Sequence, residues 1–71
     1  MISYNDTIKT LNEDAENIKK KIKNELEIFN TRLDSGLYNT ADRVLKEMQG
    51  YMEQLKEVEY AKGIIETMFE E

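Results

Sequence analysis

Asp34-Ser35-Gly36-Leu37-Tyr38-Asn39-Thr40 is the one stretch where an otherwise helix-forming sequence changes pattern. The helical spacing of apolar residues stops at Asp34-Ser35. Gly36 follows, and glycine tolerates the left-handed backbone that ends helices. Leu37 is placed to fold back over the last turn. Asn39 offers an N-cap oxygen for a second helix, and Asp42 three residues on makes a weak capping box. Tyr38, just before that cap, is placed to staple against Arg43 or Val44. The stretch reads as a short turn, about 35–39, joining two rods of near-equal length.

On its N-terminal side the apolar positions are Tyr4, Ile8, Leu11, Ala15, Ile18, Ile22, Leu26, Phe29 and Leu33. Steps of three and four give a period near that of an α-helix. From Leu11 to Leu33 the stripe forms two eleven-residue units, which predicts nearly straight packing without a strong left-handed supercoil. Only Ile28 falls clearly off it. Ser3 or Asn5 can cap this helix, and Asp6 suits the free N–H groups of its first turn. The expected span is about 4–34.

The C-terminal side reads as heptads. Ala41, Met48, Leu55, Lys62 and Phe69 occupy one seam position, and Val44, Tyr51, Val58 and Ile65 the other. Leu45 and Met52 widen this seam by one column, giving the second helix, about 40–70, the broader apolar face. Gly50 and Gly63 lie on its outer side, each costing about 1 kcal/mol against alanine. A break at Gly63 would leave a short third helix.

Seventy-one residues make one domain, near the size at which a single core barely offsets chain entropy. Apolar residues at 39% and charged residues at 35% are too regularly arranged for a disordered chain. Proline and cysteine are both absent, so nothing forces a kink and no disulfide can staple the fold. Self-association is the remaining usual route to stability. The expected fold is therefore all-α: an antiparallel two-helix hairpin that dimerises into a four-helix bundle.

No run approaches the roughly 20 apolar residues of a membrane span, and Met1 to Asp6 lacks the basic and apolar segments of a signal peptide. The cytoplasm is the expected location. A net charge of -5 disfavours nucleic-acid phosphate and anionic lipid as direct partners. Lys19, Lys20, Lys21 and Lys23 turn onto more than one helix face and lack interleaved aromatics, unlike a nucleic-acid footprint. Taking the turn as a mirror point, these lysines come level with Glu53 and Glu57, which would favour the antiparallel register.

Catalysis finds no support. Histidine and cysteine are absent, which removes the commonest base, nucleophile and metal ligands. Spacings such as Glu13/Glu16, Glu53/Glu57 and Glu66/Glu70 are those of solvated helix faces. No catalytic, cofactor or metal residue is expected. The expected function is non-enzymatic: a small acidic helical adaptor, regulator or inhibitor, homo-oligomeric, that binds another protein. Leu45, Met52, Tyr60, Ile64, Ile65, Met68 and Phe69 are the expected interface. Aromatic anchors beside flexible methionine suit such a surface. The alternative is an acidic mimic of nucleic acid, whose carboxylates, Glu13, Asp14, Glu16, Glu53 and Glu57 among them, would occupy a basic groove.

Overall fold

The structure, a computed structural model, describes residues 4–68. Two helices of 31 residues each, α1 (Tyr4–Asp34) and α2 (Tyr38–Met68), pack along one another as a hairpin. The rod measures 54 × 17 × 15 Å.

Gly36 ends α1 with φ +76°. The N–H of Leu37 donates to the Arg32 carbonyl (2.8 Å), and that of Gly36 to the Leu33 carbonyl (3.1 Å). This paired 6→1 and 5→2 pattern is the Schellman motif, and it satisfies carbonyls that would otherwise be orphaned. α2 starts two residues earlier than the Asn39 cap would have it. The Leu37 carbonyl accepts from the Ala41 N–H (2.9 Å) and from the Thr40 hydroxyl (3.1 Å), so Asn39 lies inside the helix. Leu37 and Tyr38 stay exposed, so neither the fold-back nor the staple forms. The residue that a Schellman motif sets against Leu37 is Arg32, which offers little apolar surface, and Val44 is already buried.

Helix α2 continues through Gly50 and Gly63 to Met68, and no third helix separates after Gly63. Each glycine costs only about 1 kcal/mol in a helix interior. Neighbouring Tyr51 and Ile65 lie on the packed side, partly covered, and hold the helix in register. Ser3 and Phe69 lie outside the described residues.

Among the described residues four are buried: Ala15, Ile18, Ala41 and Val44. Around them the partly covered residues of α2 follow the expected heptads from Ala41 to Ile65, Lys62 included. α1 departs from its apolar stripe. Its covered positions run Tyr4, Ile8, Leu11, Ala15, Ile18, Ile22, Glu25, Phe29 and Arg32, a repeat of seven, with Thr7 partly covered beside them. Leu26 and Leu33 are instead 46% and 43% exposed. A pair of helices shares one seam, and α2 carries a seven-residue repeat. An eleven-residue stripe drifts steadily away from such a seam. By the third heptad it has left the contact, and Glu25 and Arg32 take the seam positions.

The lysines also settle differently. Lys19, Lys46 and Lys56 pair with Glu16, Asp42 and Glu53 of their own helices at 3.2–3.3 Å. Lys21 reaches across to the Tyr51 ring, 5.7 Å from its centroid, a cation–π contact. Neighbours three or four residues along a helix are closer than the opposing rod, so the local acid wins.

Candidate interaction surface

In heptad terms, α1 places Ile8, Ala15, Ile22 and Phe29 at a, and Leu11, Ile18, Glu25 and Arg32 at d. α2 places Ala41, Met48 and Leu55 at a, and Val44, Tyr51, Val58 and Ile65 at d. The g positions of both helices meet on one flank. Asp14 and Lys21 of α1 border the same surface groove as Gln54 of α2, with Ile18 and Val58 as its floor. The Lys21–Tyr51 contact and the neighbouring carboxyls of Glu25 and Glu47 cross on this flank. Both crossings pair residues whose numbers fall as the partner's rise, as antiparallel rods require. The e positions of both helices therefore share the opposite flank.

That second flank has two unlike halves. Near the open end its e positions are Asn5, Asn12 and Lys19 on α1 with Glu59 and Glu66 on α2. Near the turn they are Leu26 and Leu33 on α1 with Tyr38, Leu45 and Met52 on α2, all exposed. Five large apolar side chains thus line one side of the turn half.

A separate patch lies on the outer face of α2 near the open end. Tyr60 and Met68 are 73% and 72% exposed, Ile64 is also exposed, and a shallow groove runs between them beside Gly63 and Thr67. The Thr67 hydroxyl donates to the Gly63 carbonyl (2.8 Å), which keeps its polar end off the groove. Ile64 and Met68 sit at c and g, so this patch leans toward the polar flank, away from Leu45 and Met52.

The interface residues expected from sequence therefore divide. Leu45 and Met52 stand on the e flank, and Tyr60, Ile64 and Met68 on the outer patch. Ile65 is half-buried in the seam, and Phe69 lies outside the described residues. Leu26, Leu33 and Tyr38 were not expected on the same exposed flank as Leu45 and Met52. Their signal was present: Leu26 and Leu33 are spaced by seven, one place after seam residues, as Leu45 and Met52 are.

Glu25 sits on the seam close to Glu47. Its hydrogen bond with Glu47, its partial burial and the repulsion of Glu47 raise its pKa above the ordinary 4.5, and Arg32 opposes them. Among the described residues, no three Asp, Glu, His or Cys side chains gather as a metal-binding group, and no helix is long and apolar enough to cross a membrane.

The rod exposes 5688 Å² of surface. A compact monomer of this mass would expose about 4600 Å². The excess, about 1100 Å², reflects the elongated shape of the rod. No protein-family model, curated protein or solved structure matches the chain.

Proposed function

We propose that this chain is a non-enzymatic protein-interaction module of the cytoplasm, a small acidic adaptor, regulator or inhibitor that self-associates and binds another protein. The observation that carries this reading is the mismatch, among the described residues, between a core of four buried residues and ten large apolar side chains left exposed. Scattered apolar residues are ordinary on a protein surface, but contiguous groups mark contact sites. Here they form groups: one along the e flank beside the turn, the other around Tyr60, Ile64 and Met68. Two surfaces on different faces suit a module that pairs with itself through one and presents the other.

The mechanism is occlusion or scaffolding. Tyr60 supplies a rigid amphipathic anchor and Met68 an adaptable neighbour, the pairing typical of a helix face that docks against a protein. The acidic-mimic reading is weaker, because Glu16, Asp42 and Glu53 are each engaged by a lysine of their own helix. The double variant Tyr60→Lys/Ile64→Lys should lose capture of its protein partner while keeping its helix content. Capture that persists unchanged would overturn the docking role. Capture by wild type that vanishes on raising the salt would favour the mimic instead.

A further inference from the structure

We infer that the occupant of the e flank is a second copy of this chain, related by a two-fold axis parallel to the rod. The two turns then lie at the same end, and α1 of each copy packs against α2 of the other. This assignment deepens the proposed function and rests on its claim of self-association.

Area is the first argument. The flank is a face of 54 × 17 Å, about 900 Å², and a stable specific dimer covers about 800 Å² on each partner. Rods sharing their whole length meet that requirement. Rods overlapping only along the apolar turn half would cover about half as much, which is below it.

Pairing across the axis is the second. Within the hairpin, opposed positions sum to about 72, as Lys21 with Tyr51 and Glu25 with Glu47 show. With the two-fold along the rod, the same levels face each other between copies. Leu26 then meets Leu45 of the second copy, Leu33 meets Tyr38, and at mid-length Met52 meets Lys19, whose aliphatic stem lies along it with the ammonium in solvent. In the open half Asn12 meets Glu59 and Asn5 meets Glu66, and at the rim Glu16 meets Lys56. No like charges are opposed in this arrangement, and like charges across an interface are what exclude a wrong pairing. Reversing one rod would set α1 on α1 and α2 on α2 with the turn end of each against the open end of the other, so that Leu26 and Leu33 would face Asn12 and Asn5, and Leu45 and Tyr38 would face Glu59 and Glu66. The outer patch at Tyr60, Ile64 and Met68 stays uncovered.

Three measurements on the full chain test this. Light scattering across a wide concentration range should give twice the 8.4 kDa chain mass. Small-angle scattering should give a particle little longer than the 54 Å hairpin. A spin label on Ser35→Cys, in a chain without native cysteine, should report tips roughly 20 Å apart, set by helix spacings of about 8–10 Å. Leu26→Lys/Leu45→Lys should weaken the dimer a hundredfold or more, while Tyr60→Lys/Ile64→Lys should leave it intact. The label on Ser35→Cys needs no change to the flank, so it decides the matter even if the lysine pair unfolds. A particle near 80 Å, tip labels 40 Å or more apart, or a dimer indifferent to Leu26→Lys/Leu45→Lys would overturn the assignment and leave self-association standing. A monomer at every concentration would overturn both.

Discussion

Gly36 and Glu25 hold the two positions where a single residue decides most. Gly36 sits at φ +76° with nothing within 4 Å of where a Cβ would stand, so a side chain there meets backbone strain and no crowding. Gly36→Ala should cost about 1 kcal/mol, read as a lower urea midpoint with unchanged slope. Glu25 occupies a seam position beside Glu47. Because folding raises its pKa, its charged form is disfavoured at neutral pH, and that penalty fades as pH falls through the raised pKa toward 4.5. Glu25→Gln should therefore raise the melting temperature at pH 7, with the gain shrinking on acidification. A gain that grows in acid would contradict the pairing. Gly36 was legible in the sequence because only one residue type suits that backbone. Glu25 was not, since a glutamate's place on a seam depends on which face its partner helix selects.

Each helix alone announces its type but not its partner's repeat. The seam of α2 was legible from Ala41 to Ile65, because its apolar positions already repeat by seven, whereas the helix starts two residues earlier than the Asn39 cap implied. α1 was legible only as far as Ile22; beyond it the apolar stripe and the seam part company, and Leu26 and Leu33 become surface. Where the seam does hold, a small change should be felt. Ile18 is among the four buried residues, and Ile18→Ala should cost about 2–5 kcal/mol, enough to unfold much of so small a core at room temperature. The outer side of α2 should respond in the opposite direction. A Cβ on Gly50 would meet nothing within 4 Å, so Gly50→Ala should add about 1 kcal/mol in a denaturant titration.

At the scale of the whole molecule, shape carries the functional reading. A radius of gyration of 16.2 Å is well above the roughly 11 Å of a compact chain this long. Such a rod buries little by itself and leaves its flanks exposed. Its net charge of -5 repels a second copy, so apolar pairing should tighten, or at least persist, as salt is raised. Dissociation on adding salt would point to charge as the driving force and against the apolar flank.

The three residues Ser35, Gly36 and Leu37 are all that separates one helix from the next. Straightened, they would join α1 and α2 into one continuous helix of about 100 Å. In such a helix the two seams would part: Phe29 and Ala41, both at a, are twelve residues apart where a continuous heptad repeat needs fourteen, so the apolar face of α2 would stand roughly 160° round from that of α1. The sequence is thus phased for a hairpin and against one long rod. Replacing Gly36 with alanine should therefore weaken the hairpin without yielding a particle of doubled length, which small-angle scattering would detect.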